Sequence, residues 1–391
     1  MRRFSSYVLA LLAFVSPAVA YAQQAARVVD LTSGDGTKLK ATFFPAGKPG
    51  PGVLLLHQCN RQRKVWDELA RQLSAVGINV LTFDLRNFGE SAGEPFDKLT
   101  PQQAQASAAK RPSDVDAAFN YLTSQPDVKR NTIGIGGASC GVDSSVQAAH
   151  RHPEVKSLVL LSGNTDLNGR QFLRGSQLPV FFGIADDDEF PASVMTIQWL
   201  YTLTPNPGKE LVHYEKGGHG ADIFKVHPEL QAEITDWFLI TLIKTPGHAP
   251  ASKQKPTVTP VAQVLTILDE PGGAAKVSQM LADARKKDPK AAIFPEDVVN
   301  IMGYEYMQAG DNKRALEILR LNADAYPNSA NVYDSLSDAF FADGQKDLAR
   351  QNAKRALALL PSDSSIKDEQ RRNGIKDSAE QKLKQLGDAP Q

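Results

Sequence analysis

Along the first 245 residues, short apolar runs alternate with stretches of helical spacing. Val53-Leu54-Leu55-Leu56-His57 follows a Pro/Gly turn and has the character of a buried strand. Val65 to Ala75 then puts Trp66, Leu69 and Leu73 on one helical face, and Asn79 to Asp84 is strand again. Ser113 is expected to cap a helix carrying Val115, Ala118 and Leu122. Further strands are expected at 132–136, 157–162, 179–185 and 210–214, with helices at 142–150 and 228–243. Strands separated by helices imply parallel pairing, hence an α/β fold built on a doubly wound, mostly parallel sheet. Upstream, Arg27 to Phe44 alternates around Gly34-Asp35-Gly36, which predicts an antiparallel hairpin leading into that sheet.

Past residue 245 the pattern becomes helical only. The change falls at Thr245-Pro246-Gly247-His248-Ala249-Pro250 and runs on to Pro256 and Pro260, a proline-rich linker composition. Beyond it Gly310 and Gly344, Ala315 and Ala349, Tyr306 and Phe340, and Pro327 and Pro361 are each 34 residues apart. That is the period of helix-turn-helix tetratricopeptide repeats. Gly310 and Ala315 suit a close crossing within one hairpin, and Pro327 marks the turn to the next. Two unrelated hairpins would give the same helices. Two repeats bury little alone, so the helices at 261–287 and 366–386 are expected to cap the array, or the array to lean on the first domain.

The amino-terminal segment has a different character. Arg2 and Arg3 precede an apolar run, Tyr7 to Val15, and then small residues with Ala18-Val19-Ala20 and Ala20-Tyr21-Ala22. This is the layout of a secretory signal peptide, and the run is short for an uncleaved membrane anchor. The expected organisation is a signal peptide at 1–22, an α/β domain at 23–245, a linker at 246–260 and an all-α domain at 261–391. The last contains repeats near 296–329 and 330–363. Such a chain is exported, periplasmic or secreted, with no transmembrane segment after cleavage.

Charge excludes one class of partner. Lysine plus arginine number 44, as do aspartate plus glutamate, so no single-sign field would draw nucleic acid. His150-x-His152 lacks further ligands at metal-binding spacing, and no cofactor is implied.

The candidate chemistry is nucleophilic. Gly137-Ala138-Ser139-Cys140-Gly141 follows a predicted strand and precedes a predicted helix. A tight strand-to-helix turn needs small residues two before and two after a nucleophile, and Gly137 and Gly141 supply them. Cys140 is the rival nucleophile, but centring the turn there would put β-branched Val142 at a crowded position. His219, between glycines after the last strand, is the candidate base. The acid lies in Asp186-Asp187-Asp188. Strand length from Pro179 favours Asp188, and counting back from Pro191 favours Asp187 as the alternative. The oxyanion hole is expected from the backbone N–H of Cys140 and one from the loop after His57, at Gln58 or Cys59. Those amides must converge on one oxygen, so the two cysteines should be close. In an exported chain a Cys59–Cys140 disulfide is one hypothesis, and two separate thiols the other.

These stretches together resemble the α/β-hydrolase superfamily, especially its dienelactone-hydrolase-like and small esterase/peptidase branches. The resemblance covers residues 27–245. It rests on Leu54 to Cys59, Asp84 to Ser91, the Ser139 turn, Asp186 to Asp188 and Gly218-His219-Gly220. It implies Ser139, Asp188 and His219 as a triad. The family often has glycine where Gln58 and Asn87 stand, and dienelactone hydrolases proper use a cysteine nucleophile. Lids of the family are commonly inserted between 162 and 179, where this chain has room for little. Residues 92–111 are the candidate flap. Residues 296–361 resemble tetratricopeptide repeats. The expected function is cleavage of a small-molecule ester or acyl substrate through an acyl-enzyme on Ser139. Peptidase or acyltransferase chemistry with the same triad are alternatives. So is a scaffold role, in which the helical repeats bind a protein partner.

Overall fold

The computed structural model describes residues 25–252 and 256–387. The expected signal peptide lies outside them, as do linker residues 253–255. In the first domain the strands are β1 (Arg27–Thr32), β2 (Lys38–Phe44), β3 (Gly50–Leu56), β4 (Asn79–Phe83), β5 (Val128–Ala138), β6 (Val155–Leu161), β7 (Val180–Ala185) and β8 (Lys209–Tyr214). Helices α1 (Asp67–Ala75), α2 (Pro101–Ala108), α3 (Arg111–Ser124), α4 (Cys140–Arg151), α5 (Leu167–Gly175), α6 (Pro191–Leu203), α7 (Ile223–Val226) and α8 (Glu229–Phe238) connect or follow them. The sheet order is β1-β2-β4-β3-β5-β6-β7-β8. β1 and β2 form the expected antiparallel hairpin, β2 meets β4 antiparallel, and every other pairing is parallel.

Alternation along the central strands sends side chains to two cores. Leu54, Leu56, Ile135 and Leu160 pack with Val115 of α3, Val146 of α4 and Ile197 of α6. Val53, Leu55, Val159 and Leu161 pack on the other face with Leu69 of α1 and with Ile234 and Phe238 of α8. Strands covered on both faces read as continuous apolar runs, which is why they were legible in the sequence.

Several expectations change. Ser113 does not cap α3; it lies in the first turn, with Lys110 at the cap position. Its hydroxyl instead meets Ser33 Oγ at 3.0 Å and accepts from the Gly34 N–H at 3.1 Å, tying the β1–β2 turn to α3. The last helix of the domain is regular only to Phe238 and continues as a π-type stretch over Leu239–Lys244. Residues 92–111 hold α2, started by a Thr100/Gln103 capping box. α5 and α6 carry no strong sequence signal and were not expected.

The second region contains α9 (Pro260–Leu268), α10 (Gly273–Lys287), α11 (Glu296–Gln308), α12 (Asn312–Ala325), α13 (Ala330–Ala342), α14 (Lys346–Leu359) and α15 (Glu369–Gln385). α11 and α13 begin 34 residues apart, as do α12 and α14. Gly310 does not make the close crossing. It sits in the turn at φ 80°, as does Gly344, and a Cβ there would meet nothing. The crossing belongs to Gly303, where a Cβ would lie 2.5 Å from Leu319, together with fully buried Ala315.

The helical region shares a core with the first domain. Leu265, Val299 and Tyr306 belong to the apolar cluster that contains Ile197 and Trp199 of α6. Buried Arg170 of α5 reaches Asp269 at 3.4 Å and Glu305 at 2.8 Å, with its guanidinium 4.5 Å above the Trp199 ring. Arg174 and Tyr306 also bond Asp269. Fixing Arg170 this firmly needs paired carboxylates, because an unpaired buried charge is costly.

Candidate active site

All the candidate residues sit at the carboxyl ends of parallel strands, where loops converge. Ser139 follows β5 with φ 53° and ψ −119°, a conformation costly for any residue with a Cβ. The surroundings hold it there. Its N–H donates to Leu161 O at 2.9 Å, and its carbonyl accepts from Val142 N at 2.8 Å. The flanking glycines are crowded by backbone. A Cβ on Gly137 would stand 2.1 Å from Gly141 O, and one on Gly141 would stand 2.4 Å from Leu56 O. The turn therefore lifts Ser139 off the sheet at the start of α4.

His219 follows β8. It is buried, and its Nδ1 lies 2.9 Å from both carboxylate oxygens of Asp188. The three aspartates after β7 divide three tasks. Asp188 holds the His219 ring, Asp187 accepts from the N–H groups of Gly217 and Gly218 at 2.8 Å each, and Asp186 meets His213 at 2.6 Å. Asp187, the alternative acid, thus shapes the histidine loop and does not touch the ring. Phe190 lies edge-on to His219, with ring centroids 4.7 Å apart.

Cys59 and Cys140 form a disulfide with Cα atoms 5.8 Å apart. The bond ties the loop after β3 to the residue following Ser139. It also leaves Cys140 no thiolate, which removes it as a rival nucleophile in this state.

Sequence reasoning named Gln58 only through its backbone N–H, as a candidate oxyanion donor, and assigned its side chain no role. That buried side chain donates to His219 O at 3.2 Å and accepts from Ala221 N–H at 2.8 Å. It thereby joins the β3 loop to the histidine loop. A Cβ on Gly220 would lie 2.6 Å from Gln58 Oε1 and 3.2 Å from the Cβ of Ala138, so the histidine loop abuts the Ser139 turn. The only sequence signal was glutamine where glycine is usual. Asn87, the other such position, takes φ 70°, a region asparagine tolerates better than most residues. Asp222 anchors the same loop. Burial opposes its charge, but Lys225 and Arg61 outweigh burial and pull its pKa down. His57 is fully buried: Nδ1 donates to Gln58 O at 2.8 Å, and Nε2 accepts from Leu85 N–H at 3.0 Å. Burial holds its pKa below the ordinary histidine range, which suits this neutral, doubly bonded ring.

The doubly wound sheet, the strained serine turn after β5 and the aspartate-held histidine after β8 define an α/β hydrolase. Residues 40–222 match the dienelactone hydrolase family. It is 33% identical to an uncharacterized protein of Mycobacterium tuberculosis over 39% of this chain and 50% of that one. It is 28% identical to a thiohydrolase of Aspergillus aculeatus over 34% of this chain and 39% of that one. The chain therefore spans half or less of the length of these relatives. Among solved structures it is similar to the esterase Pf2001 of Pyrococcus furiosus, with 20% identity and a TM-score of 0.46 over 56% of this chain and 91% of that one.

Proposed function

We propose that this protein is an exported serine hydrolase that cleaves carboxylic esters through an acyl-enzyme on Ser139. The observation that carries this reading is the His219–Asp188 pair on loops adjoining the strained Ser139 turn. With Nδ1–H donating to Asp188, His219 is held in the tautomer whose Nε2 lone pair can accept a proton. Ser139 Oγ attacks the ester carbonyl carbon and its proton passes to Nε2. The carbonyl oxygen becomes the oxyanion, facing the backbone N–H groups of Cys140 and Cys59. Collapse expels the alcohol, protonated by His219, and leaves an ester on Ser139. Water then attacks with His219 again as base. A dienelactone hydrolase family domain supports the hydrolase class, and a disulfide beside the site supports an oxidising compartment. Peptide cleavage and acyl transfer differ only in the leaving group or in what replaces water.

A fluorophosphonate probe tests this directly. It should label the wild-type protein and leave Ser139→Ala unlabelled. Equal labelling of both, or none of the wild type, would defeat the proposal.

A further inference from the structure

A cavity of about 720 Å³ opens between the loop after β3, the loop after β4 and the histidine loop after β8. That volume falls in the usual range for small-molecule sites, about 300–1,000 Å³. Its lining joins it to the serine site. Cys59, bonded to Cys140 beside Ser139, forms part of one wall. Asn60, the next lining residue, donates to Glu189 at 3.4 Å, and Glu189 directly follows Asp188. Asp222, on the loop that carries His219, lines it as well.

Phe88 and Phe96 also face this cavity. Their rings are stacked, with centroids 4.9 Å apart and planes at 22°. Phe88 meets the buried His57 ring edge-on, at 5.1 Å between centroids. Phe96 is fixed twice more. Its N–H donates to Asn87 O at 3.0 Å, and the Arg111 guanidinium lies 5.6 Å from its ring centroid. The two rings therefore make a preformed aromatic surface. Phe96 is its half-buried member and belongs to the segment expected as a flap.

We infer that this cavity is the substrate pocket of the serine site, and that Phe88 and Phe96 select esters carrying an aromatic ring. This rests on the serine-hydrolase reading above. The cations of the lining are already engaged. Arg61 and Lys225 both pair with Asp222, at 2.6 and 2.7 Å, and Lys64 pairs with Glu90 at 2.9 Å. An anionic group would have to displace those carboxylates, so the free recognition surface is the ring pair. A third ring can meet that pair edge-on or offset, a contact worth on the order of three- to tenfold in binding. Size allows it. At about 30 Å³ per water-sized occupant, the space holds on the order of twenty non-hydrogen atoms.

The test uses the full chain and two pairs of esters. Ethyl 3-phenylpropanoate and ethyl 3-cyclohexylpropanoate carry the ring on the acyl side. The acetates of 2-phenylethanol and 2-cyclohexylethanol carry it on the alcohol side. Within each pair only the aromaticity of the ring changes, two carbons away from the reacting group. The wild type should favour the phenyl ester at least threefold in kcat/KM in at least one pair, and that pair identifies the half of the ester that enters the cavity. Phe96→Leu should erase the preference, and Phe96→Tyr should keep it. No preference in either pair, with hydrolysis intact, would overturn this inference alone, as would a preference that survives Phe96→Leu. Absence of both hydrolysis and fluorophosphonate labelling in the wild type would overturn the hydrolase reading along with it.

Discussion

The Ser139 turn and the α11–α14 hairpins both depend on glycine, for opposite reasons. At the turn, Gly137 and Gly141 are hemmed in by backbone within 2.4 Å of where a Cβ would stand, so neither position has room to relax. In the hairpins, Gly310 and Gly344 face open space and are needed only for their positive φ. The first arrangement holds a strained residue at a precise place. The second only ends a helix. Chemistry is concentrated where the backbone is over-determined, and the helical region offers packing.

The comparison can be tested by breaking each region in turn. The largest stability effect should come from the seam between them. Arg170→Ala leaves Glu305 without its cation, while Asp269 keeps Arg174 and Tyr306, and about 3 kcal/mol should be lost in denaturant unfolding. A variant that unfolds like the wild type would mean the two regions are not coupled through Arg170. Next, replacing both Cys59 and Cys140 by serine opens a link across 81 residues and should cost about 2–4 kcal/mol. It should also lower kcat more than it raises KM, because the bond ties together the loops that would supply the oxyanion donors. A loss of stability at constant kcat would confine the bond to a structural role.

A smaller effect should appear in the helical region as pH changes. Burial raises the Asp334 carboxyl to about 7, and Asp338 adds to the rise. The folded state then holds a proton that the unfolded chain releases near 4. Stability is full below about 4 and declines as pH rises towards 7. At about 1.4 kcal/mol per unit the ceiling is near 4 kcal/mol. Relaxation around the carboxylate should reduce the change to on the order of 2 kcal/mol. Asp334→Asn should flatten the pH dependence of thermal unfolding, and an unchanged slope would refute the assignment. The smallest effect should be Gly310→Ala, at about 1 kcal/mol from the positive φ alone. A much larger loss would mean that the hairpin turn is as constrained as the serine turn.

Much of this was legible in the sequence because burial writes itself into hydrophobic runs. β3 and β5 to β7 are covered on both faces, and each is an apolar segment bounded by turns. The serine turn was legible because crowding there excludes any side chain two residues either way. The Asp186–Asp188 run was legible as a cluster but not as three separate duties, because hydrogen-bond partners 27–31 residues away have no local signature. The role of the Gln58 side chain was visible only as an exception, since its bonds to the histidine loop span more than 160 residues. Arg170 gave no signal either. An arginine in an amphipathic helix reads as a solvated face until α9 and α11 pack over it. The Gly310 reading failed because a turn glycine and a crossing glycine look alike in one dimension. Only the space around each tells them apart.

The central claim is that Ser139 carries the acyl group during turnover. Acid-quenching the full-length protein during hydrolysis of ethyl heptanoate, followed by peptide mass spectrometry, measures this directly. The account predicts a heptanoyl adduct on the peptide containing Gly137-Ala138-Ser139, lost on dilution into substrate-free buffer and absent from Ser139→Ala. An adduct on another residue, or continued turnover by Ser139→Ala at the wild-type rate, would contradict it.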